Sequence, residues 1–474
     1  MTNMREEHDA LGDMTLPDAL DYGIQTARAL ENFSISGITI ADIPNFVQSI
    51  AQIKKAAALA NRRIGVLSGP VADAIVAASD EVIASPKRDA FPVDIYHGGG
   101  GTSANMNLNE VIGIRANQIL TGKKGGDKVH PNTHVNMGQS TNDVIPAAMK
   151  ITAYGLLTRL RRAIEVFVDV LLEKEREFAD VVKLGRTCLQ DALPVTLGQQ
   201  FGGYREGLER QLPDLDRVRQ MCLQLPLGAT AVGTEFGTFP GYKAAVYEAL
   251  TSITGVTYGP ETNFFDGLQN ADVWMTISST IKSIALVLNK LSADLRLMSS
   301  GPRAGLAEVE LPAVQPGSSI MPGKVNPVIP EMVIQVYFRV VGNDAAVTRA
   351  CEGELDLNVW ESLILNCISE SASLLTAVLP LLAEKCIKGI KANVERCETD
   401  ARGSLALSTV IATLFDYQVA SEVARRAATE GKIIEQVVVE QGILSPEMAR
   451  KCLDPLLLTA PGRFNALFEQ KLSV

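Results

Sequence analysis

The chain has 474 residues, of which 46% are hydrophobic, 21% charged and only 5% aromatic, a composition typical of a soluble globular protein with several domains. Its formal net charge of −10 comes without a local basic stripe, which excludes an ordinary nucleic-acid-binding protein. Since no apolar run reaches the ~18–20 residues of a membrane span without a charge or a proline, we expect no membrane partner either.

The first zone of the chain, residues 1–140, is predicted to mix short helices with loops. Within it, ADIPNFVQSIAQIKKAAALANRRIG has an Asp-Ile-Pro start and apolar residues at every third or fourth position, which predicts one helix with clear ends. The zone closes in segments rich in glycine and asparagine, which are typical of loops.

The second zone, residues 141–395, is predicted to be a central helical bundle. Its helical patterns are long and contain few helix breakers, and stretches near ~25 residues favour a bundle. TISSTIKSIALVLNKL is apolar around most of its circumference, so such helices must be buried on most sides and predict association between subunits. The predicted long helices cover residues 143–182, 196–225, 271–298, 330–351 and 361–390.

The third zone, residues 396–474, is predicted to be a small helical domain. It contains the patterns LSTVIATLF, QVASEVARRAATEG and IIEQVVVEQG, and then a helix that begins at Ser445 and Pro446 in the order typical of an N-cap and first helical residue. Together the three zones predict an all-α protein.

The cysteines and the first residues predict the compartment. Seven cysteines are scattered, odd in number and never spaced as C-x-x-C, which indicates free thiols in a reducing compartment. The start MTNMREEHDALG is acidic and polar, unlike a secretory signal or a basic transit peptide. We therefore expect a cytoplasmic protein.

Two polar segments near helix boundaries carry candidate functional residues. GSSIMPGKVNP, residues 317–327, has the glycines and prolines of a loop, and on composition alone it is compatible with a plain connection. HPNTHVNMGQSTNDVIPAAM places Ser140, Thr141 and Asn142 just before a long helix. Such residues cap a helix, and the same free amides bind anions, so capping and carboxylate binding are both compatible with the pattern.

Two further segments share this polar character. GRTCLQDALPVTLGQQ places Thr187 and Cys188 ahead of a helix. GGGGTSANMNLNEV leads four glycines into Thr102, although the glycine run lacks the strand–turn–helix context of a nucleotide-binding loop.

Taken together, these four segments resemble the aspartase/fumarase superfamily. The resemblance extends from DALDYGIQTARALENF, residues 18–33, to KCIKGIKANVERC, residues 385–397, and GSSIMPGKVNP is similar to the superfamily's signature loop almost letter for letter. It implies an all-α subunit of three domains whose central helices join in a homotetramer, with each active site built by three subunits. It also implies a small dicarboxylate or amino-acid substrate and no cofactor.

The family reaction removes a proton from the carbon beside one carboxylate and expels a group from the neighbouring carbon. The intermediate is an enediolate that carries two negative charges on one carboxylate, so the site needs preorganised donors. The resemblance implies that Ser318 is the general base and that loop amides and Lys324 lower its pKa.

The same resemblance assigns the other site residues. Those around the carboxylate that becomes the enediolate are Thr102, Ser140, Thr141 and Ser319. Those around the second carboxylate are Lys324, Asn326 and Thr187, while Asn142 and Cys188 face the leaving group. Simpler roles stay open, since Ser319 and Thr141 are also compatible with capping and Lys324 with a solvated loop. His130 and His134 lack a third carboxylate ligand, so we expect no metal.

The sequence departs from the family pattern at one residue, Cys188, and at one three-residue segment. Fumarases carry a histidine at the position of Cys188, paired with a glutamate that matches Glu331, whereas ammonia-lyases carry histidine or glutamine. Hydroxide needs an acid to leave and an amine does not, so Cys188 favours C–N cleavage, with aspartate giving ammonia and fumarate. The family's Gly-Leu-Asn is replaced by Glu235, Phe236 and Gly237.

Three alternatives therefore remain open beside the elimination of ammonia from aspartate. One is a lyase that forms fumarate from an N-substituted or modified aspartate, because Glu235 and Phe236 are compatible with a reshaped leaving-group pocket. The second is a fumarate hydratase. The third is a non-catalytic structural homologue, against which the intact set of site residues argues.

Overall fold

The computed structural model describes residues 3–460 together with Gly462 and Asn465. Within that part, seventeen α-helices and eight short strands confirm the predicted all-α class. The helices are α1 Ile24–Asn32, α2 Phe46–Arg63, α3 Gly69–Ala84, α4 Thr102–Thr121, α5 Thr141–Glu177, α6 Leu197–Glu209, α7 Leu212–Met221, α8 Tyr242–Thr254, α9 Phe264–Gln269, α10 Asp272–Met298, α11 Val328–Ala350, α12 Glu361–Lys385, α13 Val394–Gly403, α14 Ser408–Leu414, α15 Tyr417–Glu430, α16 Ile434–Glu440 and α17 Pro446–Cys452.

The strands form four two-stranded pairs. Three pairs are antiparallel and one, β5 with β6, is parallel. The pairs are β1 Met4–Asp9 with β2 Gly12–Pro17, β3 Val182–Thr187 with β4 Gln190–Thr196, β5 Gln224–Leu225 with β6 Gly259–Pro260, and β7 Val309–Glu310 with β8 Lys391–Ala392.

Four of the five long helices predicted for the central zone are present as α5, α10, α11 and α12. The fifth prediction, one helix over residues 196–225, is wrong, because the chain breaks at Arg210 and Gln211 into α6 and α7. Pro213 explains the break, since proline lacks the N–H that a helix interior needs and is tolerated only in a first turn, where it lies in α7.

The helix predicted from residue 41 begins later, at Phe46. Asp42 instead accepts a hydrogen bond from the N–H of Thr39 and closes a separate 3-10 turn, Ile40–Asp42. By contrast, the predicted start at Ser445 is confirmed, because its side chain caps α17 and Pro446 is the first helical residue.

The chain divides into two compact units. Unit 1 comprises Met1–Arg162, Gln211–Ala285 and Phe338–Thr376, and unit 2 comprises Ala163–Arg210, Leu286–Tyr337 and Ala377–Val474. In unit 1, α2 packs against α3 and α8, and α3 packs against α4. In unit 2, helices α14 to α17 enclose their own apolar cluster, centred on Val423 and Val437. The three-domain boundaries at residues 140 and 395 stay a prediction.

One stretch in the described part of the chain, Glu361–Gly389, is long and apolar enough to cross a membrane. More than half of its most apolar window, 56%, is buried inside the protein. Core helices of soluble proteins have the same length and composition, so this helix is weak support for a membrane span.

Candidate active site

The start of α5 in unit 1 holds Ser140, Thr141 and Asn142. Ser140 Oγ accepts the N–H of Asn142 at 3.2 Å, while Asp143 accepts the N–H of Ser140 at 2.9 Å. Thr141 Oγ1 accepts a hydrogen bond from Asn105 Nδ2 at 3.0 Å. Because both hydroxyl oxygens accept from the protein, their hydrogens remain available to donate to a bound anion.

The glycine run lies at the start of α4, beside the start of α5. Gly99, Gly100 and Gly101 all have positive φ, and a Cβ on Gly101 would lie 2.8 Å from a side-chain carbon of Ile145 in α5. Only glycine permits this close approach. Thr102 follows as the first residue of α4, and its hydroxyl donates to the carbonyl of Gly99 at 2.8 Å. It must rotate before it can donate to a carboxylate.

Two buried ionisable residues that the sequence interpretation missed, Asp143 and Lys54, lie close to these helix starts. Asp143 accepts the N–H groups of Ser140, Gly228 and Thr230, the last two at 3.0 Å. Burial raises the pKa of Asp143 to about 6, although these donors and the charge of Lys54 act in the opposite direction. Burial likewise lowers the pKa of Lys54 to about 7, against the attraction of Asp143. The feature of the sequence that could have revealed Lys54 as a buried residue is its position on the apolar face of α2.

The segment that departs from the family pattern is tied to α5. Asn142 Nδ2 donates to the carbonyl of Ala231 at 2.7 Å, next to the amides that bind Asp143. Glu235 has a φ of +59° and pairs with Lys243 at 2.8 Å. The Phe236 side chain is 87% exposed. Within unit 1, therefore, the carboxylate of Glu235 already has a cationic partner.

In unit 2 the loop of residues 317–327 closes on itself. The N–H of Gly317 donates to the carbonyl of Lys324 at 2.8 Å, and Asn326 Nδ2 donates to the carbonyl of Gly317 at 2.9 Å. Inside this closed loop, Ser318 Oγ accepts the N–H groups of Ile320 and Met321 at 3.2 and 3.0 Å. Two donors on one hydroxyl oxygen stabilise its anion, which is the condition for a serine base. Ser319 and Lys324 are exposed on the same loop.

Thr187 and Cys188 lie at the exposed tip of the β3–β4 hairpin, also in unit 2. The two turn residues, Cys188 and Leu189, have φ of +53° and +58°. Such turns normally use asparagine and glycine, because other residues are strained at positive φ. The base of the hairpin is held by the fully buried Glu308, which pairs with Arg186 and with Lys183.

The positions linked to fumarase chemistry and to metals have other partners. Glu331 lies 3.6 Å from Arg296 Nε. His130 Nδ1 accepts the N–H groups of Asn132 and Thr133, and His134 Nδ1 accepts the N–H of His130. Among the residues that the structure describes, no three His, Cys, Asp or Glu side chains are grouped as metal ligands. The absence of a required metal stays a prediction.

The structure thus places the predicted site residues in three groups. The first is the pair of helix starts in unit 1, and the other two are the closed loop and the hairpin tip in unit 2. The first group is Thr102, Ser140, Thr141 and Asn142, the second is Ser318, Ser319, Lys324 and Asn326, and the third is Thr187 and Cys188.

Known proteins that are similar to this chain include lyases. A model of a lyase family matches residues 14–342. Aspartate ammonia-lyase from a Bacillus species is 42% identical over 463 residues, covering 97% of this chain and 98% of that protein. Class II fumarate hydratase from Halobacterium salinarum is 45% identical over 460 residues, covering 97% of each chain.

The fold is also similar to a solved structure. The crystal structure of fumarate lyase:delta crystallin from Brucella melitensis bound to cobalt has a TM-score of 0.94 and 43% identity, and the match covers 97% of this chain and 100% of that one. The chain therefore belongs to the aspartase/fumarase superfamily of lyases.

Proposed function

We propose that the protein is an aspartate ammonia-lyase, which eliminates ammonia from L-aspartate to give fumarate. Ser318, as an alkoxide, takes a proton from the carbon beside one carboxylate, and the electron pair enters that carboxylate to form the enediolate. The enediolate then collapses to form the double bond, and ammonia leaves from the neighbouring carbon. The observation that carries the proposal is the pair of N–H groups donated to Ser318 Oγ.

The enediolate requires donors that are in place before the proton moves. Thr141 and Ser140 meet this requirement, because their oxygens accept from the protein and their hydrogens are free to donate. Thr102 and Ser319 complete this set in the proposal. The second carboxylate is assigned to Lys324, Asn326 and Thr187, and the leaving group faces Asn142 and Cys188.

The chemistry of the leaving group separates an ammonia-lyase from a fumarate hydratase. An alkylammonium departs as a neutral amine, whereas hydroxide requires an acid. The hairpin tip carries the thiol of Cys188 rather than an imidazole, and Glu331 lies against Arg296. Fumarate hydratase is the second candidate, because the relative from Halobacterium salinarum carries that name at 45% identity.

A lyase that acts on an N-substituted aspartate has weaker support. Glu235 pairs with Lys243, so its carboxylate is not available to a cationic substituent without breaking that pair. Phe236 is exposed on the same segment and remains the feature that favours a larger amine.

We also propose a cytoplasmic homotetramer whose subunits share their active sites, with no cofactor. Apolar side chains on long helices support the association. Met275, Leu286 and Leu297 on α10 are 39%, 51% and 45% exposed, and their spacing of eleven residues places them on one helical face. Large apolar side chains that are exposed at intervals along one helical face favour a buried contact between subunits.

The test is a comparison of three substrates with one purified protein. L-aspartate, malate and an N-substituted aspartate are supplied in turn, and the ultraviolet absorbance of fumarate reports turnover. We expect the highest kcat/KM with L-aspartate and a strong loss of turnover in the Ser318→Ala control. A higher kcat/KM with malate would contradict the proposal and favour the hydratase.

A further inference from the structure

Lys54 is fully buried on the apolar face of α2, among Ile50, Ile53 and Ala57. Its Nζ donates to Asn136 Oδ1 and to Gln139 Oε1, both at 3.0 Å. A buried lysine without polar partners would be costly, and these two amide oxygens satisfy it. The contacts do not involve any residue assigned to the reaction.

A chain of hydrogen bonds leads from Lys54 to one of those residues. Asn136 Oδ1 also accepts Asn105 Nδ2 at 3.2 Å and Asn109 Nδ2 at 3.1 Å. The same Asn105 Nδ2 donates to Thr141 Oγ1 at 3.0 Å. Lys54 is thus joined to Thr141 through the half-buried amide of Asn136 and the fully buried amide of Asn105, although 87 positions separate Lys54 and Thr141 in sequence.

The direction of donation along this chain follows from its first member. Lys54 Nζ donates in both of its hydrogen bonds, whereas an asparagine amide can face its neighbours with either end. Lys54 therefore requires Asn136 to present Oδ1. Asn136 in turn requires Asn105 to present Nδ2, and Thr141 must then accept, which leaves its hydrogen free.

We propose that Lys54 is a positioning residue that orients the hydroxyl of Thr141 toward the substrate carboxylate by fixing the amides of Asn136 and Asn105. The inference rests on the proposed function, because it assigns Thr141 to the carboxylate. The carbonyl of Gln139, which accepts Asn136 Nδ2 at 3.1 Å, and the amide of Asn109 favour the same orientation of Asn136. Without Lys54 the reversed arrangement, in which Asn105 presents Oδ1, becomes less costly. That oxygen has no hydrogen-bond partner in the present arrangement. Thr141 would then donate to Asn105 instead of to the substrate.

The first experiment compares Lys54→Met with Lys55→Met. Methionine fills a similar volume and cannot donate, and Lys55 is the neighbouring lysine of α2, paired with Asp80 at 2.6 Å. We expect Lys54→Met to lower kcat/KM for L-aspartate about 100-fold, as loss of one oriented donor does. Lys55→Met should stay within about twofold of the parent, as surface changes usually do. A Lys54→Met variant as active as Lys55→Met would overturn the inference.

The second experiment separates positioning from a purely structural role. If Lys54 acts through Thr141, a variant with both Lys54→Met and Thr141→Val loses no more kcat/KM than Thr141→Val alone. Additive losses would overturn the inference. If Lys54→Met does not fold, Asn105→Ala takes its place in the same cycle, because it breaks the chain while Lys54 and Asn136 remain.

A third measurement keeps the inference distinct from the proposed function. Succinate is a dicarboxylate that cannot eliminate, and its binding to the parent and to the variants is measured by calorimetry. We expect weaker binding by Lys54→Met and unchanged binding by Lys55→Met. A parent that binds succinate but does not deaminate L-aspartate contradicts the proposed function alone, and equal binding by parent and Lys54→Met contradicts the positioning role alone.

Discussion

The two polar regions that carry most of the proposed site are built in different ways. The helix starts of α4 and α5 depend on distant parts of unit 1. Asp143 binds the amides of Gly228 and Thr230, and Lys54 is linked to Thr141 through Asn136 and Asn105. The loop of residues 317–327 depends on itself, because its closing bonds join residues at most nine positions apart. In the proposed mechanism, carboxylate binding is therefore sensitive to substitutions far from the substrate, whereas the environment of the proposed base depends on its own loop.

The largest effect is expected in the self-contained loop. Ser318→Ala removes the proposed base, and we expect kcat to fall by about 10³- to 10⁴-fold, the range of general acid–base catalysis. The thermal midpoint should not change, because Ile320 and Met321 are exposed and water can replace Oγ on their amides. Steady-state kinetics and differential scanning calorimetry measure the two quantities. A variant that retains parental kcat would remove Ser318 from the mechanism.

In the helix-start region, substitution of Asp143 should instead reduce the stability of the fold. Asp143→Ala leaves the amides of Ser140, Gly228 and Thr230 without their acceptor and removes a negative charge that favours the charged form of the buried Lys54. We therefore expect the free energy of unfolding to fall by about 3–5 kcal/mol. Asp127, an exposed acid of the same unit, provides the control, and Asp127→Ala should change stability by less than about 0.5 kcal/mol. Urea denaturation measures both, and equal midpoints would show that the start of α5 does not depend on Asp143.

Two glycines allow a direct comparison of the regions. Gly101 and Gly323 have nearly the same φ, +86° and +84°, but a Cβ on Gly101 meets Ile145 while a Cβ on Gly323 has open space. Gly323→Ala should lower the free energy of unfolding by about 1 kcal/mol because of backbone strain. Gly101→Ala should lower it by about 3 kcal/mol, because overpacking against Ile145 is added to that strain. Equal losses in thermal denaturation would show that α4 and α5 can separate without cost.

A substitution at Glu361, near the glycine run, is expected to increase stability, and by a smaller amount. Leu357 and Val359 lie beside Gly100, and Glu361 follows as a fully buried residue whose pKa burial raises well above the usual value. Above pH 4.5 the unfolded chain loses this proton while the folded chain keeps it, so stability falls as pH rises. Glu361→Gln removes that loss, and we expect a gain of about 1–3 kcal/mol at pH 7. A gain as large at pH 4 as at pH 7 would contradict this origin.

The smallest effect is expected at the hairpin tip. Elimination of ammonia requires no nucleophile, so Cys188→Ser should change kcat/KM for L-aspartate by no more than about threefold. The kinetic assay with fumarate absorbance measures it. A loss as large as that of Ser318→Ala would assign chemistry to the thiol.

Local patterns in the sequence predicted much of this molecule. The long helices, the capping at Ser445 and the loop character of residues 317–327 depend on neighbours in the chain, so composition and periodicity reveal them. The β3–β4 hairpin was missed because its turn is Cys-Leu rather than a turn-forming pair. The network from Lys54 was missed because it joins residues 82 positions apart, and only the fold brings them together.

The closure of the loop of residues 317–327 has a consequence for engineering. Gly317 is hydrogen-bonded to Lys324 and Asn326, so the bonds that close the loop around the proposed base, Ser318, do not involve the hairpin tip that carries Cys188. In the proposed mechanism, deprotonation and the choice of leaving group therefore depend on different segments of the chain. A mutant library confined to Cys188, Glu235, Phe236 and Gly237 can therefore be screened for new amine substrates while the loop of residues 317–327 is left unchanged.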